Sequence, residues 1–400
     1  MPAPSPSPAA SPLSRPRQVL TEELLDTIRG RAATHDRENT FFADDLADLK
    51  AAGYLQAMVP EHLGGAGLTL REAAREQARL AGAAPATALA VNMHHVWVGV
   101  ARFLHERGDT SLDWLLAETV HGEVFGFGYS EAGNDLVLLG SRTQARPDGD
   151  GGYSFHGTKI FTSNSPGWTR LGVMGLDDTD PDDPRIVHAF VPRAGGGFEI
   201  KDDWDTLGMR ASQSCTTVLD GAHAPADRVL RRLAPGPSLD PYVLGIFTSF
   251  EILLASVYLG IADRALTLAV EAANRRTSMK TGKAYSQDPD IRWRVASAAL
   301  ALDGLWPQLD LIAGEVDAQV DVQSGSGAGF FRSTAGLKVR VTETARYVVD
   351  EAVRCSGGST YFNRSELGRL YRDVLAGIFH PSDDESAHST VAQSVLGPLD

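Results

Sequence analysis

From Thr21 to about Glu118 the apolar positions recur at helical spacing. Thr21 is placed to cap a helix ahead of Glu22 and Glu23, and Leu24, Leu25 and Ile28 share one face. Gly53, Gly64-Gly65 and Gly108-Asp109 punctuate this stretch, and Ala83 to Leu104 is apolar nearly all round, which predicts a helix buried on every side. Near Phe125 the period changes to short alternating runs broken by Asp-Gly turns. Asp148-Gly149-Asp150-Gly151-Gly152 ahead of Tyr153 to Phe161 is a hairpin signal, and further strands are predicted at Leu171–Gly175, Ile186–Val191 and Thr216–Asp220. Helical spacing returns at about Pro241. It predicts long helices at Leu244–Asn274, Asp290–Val320 with Pro307 bending it, and Phe330–Cys355 stopping at Gly357-Gly358, then a shorter one at Arg364–Phe379 ahead of Pro381.

Four antiparallel helices make a bundle. The pattern thus predicts an α+β chain: a disordered tail (1–18), an N-terminal helical domain (19–122), a middle β-domain (123–236) and a C-terminal helical bundle (237–400), with no internal repeat. The tail has six prolines in its first 17 residues and no apolar segment, so it reads as disordered and not as a signal peptide. The longest apolar run, Ile252 to Ala262, is 11 residues between Glu251 and Asp263, where a membrane span needs about 20, so no membrane is expected.

Charge and cysteine narrow the function. A net charge of −14 with no clustered Lys/Arg face argues against nucleic acid, while small anions remain possible. Cys215 and Cys355 are isolated, which excludes a CxxC pair and a cysteine zinc site and fits a reduced, cytoplasmic setting. His94-His95 are adjacent on the apolar helix and point to different faces, so no metal site is expected there.

Particular residues carry a resemblance. The stretch Phe127-Gly-Tyr129-Ser130-Glu131-Ala-Gly133-Asn134-Asp135, the hairpin Asp150 to Asn164 with Gly157, Lys159, Phe161, Thr162 and Ser163, and Leu207-Gly-Met-Arg210-Ala-Ser212 follow one another in the middle of the chain. In the bundle Gly260 to Leu266, Arg276, Gly357-Gly358 and Tyr371-Arg372-Asp373 fall at matching spacings. In this order they resemble the acyl-CoA dehydrogenase superfamily over nearly the whole chain after the tail. The first stretch is two residues shorter than the family's flavin loop. In isolation Ser130, Thr162 and Ser163 are ordinary strand-end polar residues, Arg276 is a solvated helix-end charge, and Gly357-Gly358 is a helix cap. The resemblance implies instead that Phe127, Tyr129, Ser130, Asn134, Phe161, Thr162, Ser163, Arg276, Gly357 and Gly358 bind a flavin. Phe161 is then the aromatic wall, Ser163 the partner of the flavin edge, Arg276 a phosphate contact, and the glycines a contact to a neighbouring subunit's flavin.

Three departures redirect the function. The dehydrogenases carry a catalytic Glu nine residues after the Arg of the Arg-Asp pair; here Pro381 stands there. Aligned on the first bundle helix, the alternative base becomes Phe250, and the Asp and Arg that engage acyl-CoA become Thr248 and Glu251. Third, His380 precedes Pro381, which resembles the flavin monooxygenases of this fold. His380 to His388 resembles the C-terminus of amino-sugar N-oxygenases, the nitrososynthases. Locally, Ser382-x-x-Glu385 reads as a capping box that opens a last helix ending before Gly397-Pro398.

The resemblance therefore implies a two-component monooxygenase. Reduced FMN or FAD from a separate reductase would meet oxygen and form a C4a-hydroperoxide, with Ser163 and His380 catalytic and His380 useful near pH 7 in both charge states. The implied substrate is a dTDP-linked amino sugar, oxidised to hydroxylamine and nitroso products in antibiotic biosynthesis. His94, His95 and Glu251 would line its site, Glu251 pairing with the ammonium; a buried His pair is otherwise ordinary core. The alternatives are a divergent acyl-CoA dehydrogenase using Glu251, a hydroxylase of an aromatic or polyketide, and a binding protein with a vestigial flavin slot. The family also implies a homotetramer.

Overall fold

The computed structural model describes residues 17–134, 136–319 and 327–397. The expected disordered tail, apart from Arg17 and Gln18, lies outside the described residues, as does Asp135. Five helices come first: α1 (Glu22–Glu38), α2 (Ala43–Ala51), α3 (Leu70–Ala83), α4 (Pro85–His105) and α5 (Asp113–Val120). Thr21 caps α1 by accepting from the Leu24 amide, and Thr69 with Glu72 closes a capping box on α3. In α4, nearly every side chain from Pro85 to Leu104 is buried, as its all-round apolar pattern requires.

Eight strands form one mixed sheet: β1 (Phe125–Gly128), β2 (Gln144–Pro147), β3 (Tyr153–Lys159), β4 (Arg170–Asp177), β5 (Arg185–Pro192), β6 (Phe198–Ile200), β7 (Thr217–Ala224) and β8 (Val229–Leu233). Its order is β6-β7-β3-β2-β4-β5-β8, with β1 lying parallel to β4. The Asp-Gly hairpin joins β2 to β3. β6 and β8 carry no sequence signal of their own; β6 has three residues and sits at the edge.

The last layer holds α6 (Pro241–Arg275), α7 (Pro289–Asp303), α8 (Trp306–Asp317), α9 (Gly327–Ser356), α10 (Glu366–Val374) and α11 (Asp384–Leu396). α6, at 35 residues, is long and apolar enough to cross a membrane, yet it is packed inside the protein against α3, α4 and α9. A Cβ at Gly260 would sit 2.0 Å from the Ala78 carbonyl oxygen, so the close crossing of α3 and α6 depends on that glycine.

Three expectations need correction. The stretch expected as one helix over Asp290–Val320, whose last residue lies outside the described residues, is two helices and not one bent helix, because the chain breaks at Gly304-Leu305 and Pro307 sits in the first turn of α8, where a proline is tolerated. The helix expected at Arg364–Phe379 is α helix only over Glu366–Val374 and tightens into a 3-10 turn at Leu375–Ile378. The last helix is capped by Asp383, whose side chain accepts from the Ser386 amide, since Ser382 is engaged elsewhere.

Helices, sheet and bundle are tied at one junction. Arg372 grips Asp36 of α1 with two hydrogen bonds, of 3.0 and 2.5 Å, and the Leu207 carbonyl with a third. Asp373 accepts from the Met209 amide at 2.6 Å. A Cβ at Gly208 would lie 2.3 Å from the Arg372 carbonyl oxygen, so this loop needs glycine to lie against α10.

Candidate functional site

The first half of the site is built on two loops at one end of the sheet. Ser130 follows β1, and its carbonyl accepts from the Ile160 amide just past β3 at 2.9 Å. Beneath this bond the carboxylate of buried Glu131 meets Lys159 Nζ at 2.7 Å. Glu131 also accepts from Asn134 Nδ2, Ser141 Oγ, the Arg142 and Thr143 amides and Thr143 Oγ1. Burial alone would raise its pKa, but the Lys159 charge and these donors outweigh that and hold the carboxyl well below the usual range. Asn134 thus fastens the loop.

Beyond Lys159 the backbone twists. Phe161 and Asn164 have φ of 55° and 62°, and on the facing loop Met209 and Gln213 have 52° and 42°. Four non-glycine residues in the left-handed region on two touching loops are the sort of strain that functional sites hold. The loops are zipped by the Thr162 amide to the Cys215 carbonyl, the Asn164 amide to the Ser212 carbonyl and the Ser165 amide to the Gln213 carbonyl. A hydroxyl chain runs alongside: Ser163 to Ser214 at 2.8 Å and Ser214 to Ser212 at 2.8 Å. Phe161 is held up from this platform, 57% exposed and edge-on to Trp204, while Thr162 Oγ1 is buried without a partner among the described residues. An open aromatic face beside a hydroxyl chain and an orphaned hydroxyl fits the edge of a flat heteroaromatic ring such as a flavin.

Phe127 links this half to the bundle. Its ring lies 5.1 Å from Trp97 of α4, 4.6 Å from Tyr129 and 5.7 Å from Phe250 of α6. Next to Phe250 stands Glu251, buried. One carboxylate oxygen accepts from the Ser382 amide at 3.0 Å and from Ser382 Oγ at 2.8 Å; the other is buried and unpartnered among the described residues. Burial pushes its pKa up to about 6, against the Lys338 charge and the Ser382 donors. Two residues before Ser382, His380 Nε2 hydrogen-bonds Tyr258 Oη at 2.8 Å. Burial and the nearby Lys338 charge lower the imidazole pKa to about 3, so His380 is neutral at pH 7 and does not work there in both charge states, contrary to the sequence expectation.

The other predicted residues separate. His94 is fully satisfied: Nε2 donates to the Leu55 carbonyl at 2.8 Å and Nδ1 accepts from the Phe125 amide at 3.1 Å, so it fastens α4 to β1. His95 differs. It is buried edge-on to Tyr54, and both of its ring nitrogens lack partners among the described residues. Tyr129 is turned inward, its hydroxyl bonded to Tyr242 at 2.7 Å and to His188 Nδ1 at 3.0 Å. Arg276 lies past the end of α6, where it donates to the Ser356 carbonyl at 2.6 Å, beside Gly357, and stacks over Tyr285. At 1.5 Å per residue it is about 37 Å along the helix from Glu251. Within one chain, then, Arg276 and the neighbouring Gly357 lie far along the bundle from Glu251.

Matches to the acyl-CoA dehydrogenase N-terminal domain over residues 16–109 and the acyl-CoA dehydrogenase C-terminal domain over residues 252–384 together cover more than half of the sequence. The chain belongs to the acyl-CoA dehydrogenase family. Among curated proteins, the amino sugar nitrososynthase RubN8 of Streptomyces rubradiris is 30% identical over 94% of this chain and 89% of its own. The amino sugar nitrososynthase DnmZ of Streptomyces peucetius is 29% identical over 97% and 94%. The X-ray structure of KijD3 in complex with FMN and dTDP-3-amino-2,3,6-trideoxy-4-keto-3-methyl-D-glucose superposes with a TM-score of 0.83, at 30% identity, covering 94% of this chain and 92% of that one.

Against this acyl-CoA dehydrogenase frame, Ser214, Tyr258 and Lys338 join the site without having been singled out in the sequence, and Ser212, named there only as the end of the Leu207–Ser212 stretch, gains a role. Ser214 is an ordinary loop serine until the fold sets it between Ser163 and Ser212. Tyr258 and Lys338 sit within helical patterns, where only a polar position on an otherwise buried face distinguishes them. Lys338 was legible in principle: a lysine facing inward between Ala335, Leu337 and Val341 needs acceptors.

Proposed function

We propose that this chain is a flavin-dependent monooxygenase that N-oxygenates the amine of a dTDP-linked amino sugar to hydroxylamine and nitroso products, as a step of antibiotic biosynthesis. The observation that carries the reading is Glu251: a buried carboxylate with one oxygen unpaired, two residues' reach from a neutral imidazole, where the dehydrogenases carry an arginine for acyl-CoA. A carboxylate repels the phosphates of CoA and attracts an ammonium. The nitrososynthase relatives and the ligands of KijD3 support the same reading.

Reduced FMN, when bound, supplies the electrons that activate molecular oxygen. On this reading Phe161, Thr162, Ser163 and Ser130 hold the flavin edge. The Ser163–Ser214–Ser212 chain can reverse direction, so Ser163 serves as donor or acceptor as the edge requires. Glu251, ionised above about pH 6, orients the substrate ammonium and takes its proton. His380 works as a neutral hydrogen-bonding group relayed to Tyr258. Phe127 and Phe250 close the site against water. His95, whose two ring nitrogens have no partner among the described residues, is the better substrate-facing histidine of its pair.

Arg276 and Gly357-Gly358 act in this reading on the flavin of a neighbouring copy in a homotetramer, in keeping with the distance of Arg276 from Glu251 along α6. Trp293 and Leu300 on α7, each 76% exposed, offer apolar surface for such assembly. The reduced flavin comes from a separate reductase, and the enzyme works in the cytoplasm, where Cys215 and Cys355 remain free thiols.

The deciding experiment gives the purified protein reduced FMN, oxygen and a dTDP-3-amino sugar, and follows products by mass spectrometry. Products heavier by one oxygen, then nitroso, are expected. Bleaching of bound flavin by an acyl-CoA with no amine product would instead establish a dehydrogenase.

A further inference from the structure

Lys338 is buried on α9, yet it is charged and pointed at a single turn. Its Nζ donates to the carbonyls of Gly377 at 3.0 Å, His380 at 2.8 Å and Ser382 at 2.7 Å. An ammonium has three hydrogens, and all three are spent on this turn. Burying an ammonium costs several kcal/mol unless hydrogen bonds and an opposite charge offset it. The opposite charge comes from α6: Glu251 holds the amide and hydroxyl of Ser382, so the two side chains grip one turn from two helices. Because Lys338 has no hydrogen left for Glu251, it balances that carboxylate through space and leaves its second oxygen free.

We propose that Lys338 is a positioning residue for His380, anchoring from α9 the turn that carries the imidazole. The anchor is direct, since the carbonyl of His380 itself is one of the three acceptors. The ring is then fixed by its bond to Tyr258 on α6. Burial and the Lys338 charge hold the imidazole's pKa down; the other titratable groups around the ring and the lysine are Tyr258 and Glu251 from α6, Glu343 from α9, Asp373 from α10, and Asp383 and Asp384 at the start of α11. Of all these groups Lys338 is the cation. Removing it takes away the repulsion that disfavours imidazolium. The proposal rests on His380 being the imidazole of the site and not on which amine is oxidised.

The test needs neither flavin nor substrate, so its failure leaves the monooxygenase reading standing. The full chain, labelled with 15N histidine, is titrated by NMR as the native protein and as Lys338→Gln, Lys338→Met and Lys338→Arg. The charge-removing variants should raise the His380 midpoint by about 1 pH unit. Lys338→Arg should restore the native midpoint, and the His94 signal, held by backbone groups near β1, should not move. An unchanged His380 midpoint in a folded Lys338→Gln protein overturns the proposal. If the variants do not fold, 15N-lysine spectra of the native protein decide. Two slowly exchanging ammonium signals are expected, one from Lys159 and one from Lys338, and a single signal overturns it.

Discussion

Glu131 with Lys159, under the sheet, and Glu251 with Lys338, in the bundle, are both buried carboxylate–ammonium combinations, and they are built in opposite ways. Lys159 touches Glu131 at 2.7 Å, and five further donor groups reach the same carboxylate. Lys338 spends its hydrogens on carbonyls, and Glu251 is left with one bare oxygen. Accordingly the first carboxyl is held below its ordinary range and the second is pushed up to about 6. A saturated carboxylate has nothing to offer a ligand and serves the fold. An unsaturated one carries a desolvation cost that a ligand can relieve, which marks it for function.

The largest expected effect lies on the structural side. Lys159→Met leaves Glu131 buried without its cation and should cost about 3–5 kcal/mol of stability, read from urea unfolding midpoints. Glu251→Gln removes a charge that the fold does not favour and should leave stability at pH 7 unchanged or raised. Equal losses from the two substitutions would erase the distinction between the pairs.

On the functional side the order reverses. Glu251→Gln should weaken binding of the amino-sugar substrate about 10- to 100-fold, the worth of a charge-assisted hydrogen bond, while FMN affinity stays native. In the native enzyme kcat/KM should rise as pH passes through about 6, where Glu251 ionises, and that limb should vanish in the variant. Substrate titrations across pH 5–8 check both.

The fold was written plainly in the periodicity. Thr21, the all-round apolar α4 and the Asp-Gly hairpin all lie where local pattern and tertiary burial agree. The misses came where tertiary demand overrode local chemistry. Ser382 suits an N-cap by residue type, yet Glu251 from α6 claims its hydroxyl and amide, and the cap passes to Asp383. His94 and His95 are adjacent and alike in sequence; only the fold sets one between the Leu55 carbonyl and the Phe125 amide and leaves the other's ring nitrogens without a hydrogen-bond partner among the described residues. Glu251 and His380 were legible through the family pattern they break, whereas Lys338 breaks only the apolar pattern of its own helix face, a weaker signal that names no partner.

Stability against pH sharpens the comparison, because the two carboxylates act with opposite sign. Glu131 is depressed in the folded state, so its contribution is present above the unfolded value of 4.5 and is lost as pH falls below the ordinary carboxylate range. Glu251 keeps its proton in the native state up to about pH 6, while the unfolded chain releases it near 4.5. The native protein should therefore lose about 2 kcal/mol relative to Glu251→Gln as pH rises through that window. Urea midpoints of Glu131→Gln, Glu251→Gln and native protein from pH 4 to 8 would expose a common sign, which would contradict the assignment.

Ser382→Ala is the mildest probe. It removes the hydroxyl bond of 2.8 Å to Glu251 and keeps the amide bond of 3.0 Å, so the turn stays anchored by that amide and by Lys338. The stability cost should be about 1 kcal/mol. With one donor fewer on the ionised form, the Glu251 pKa should move further up, and the low-pH limb of kcat/KM should shift with it toward neutrality. The shift separates two roles for the hydroxyl. If Ser382 only shapes the turn, stability falls and the limb stays near pH 6; if it sets the charge of Glu251, the limb moves while the maximal rate holds.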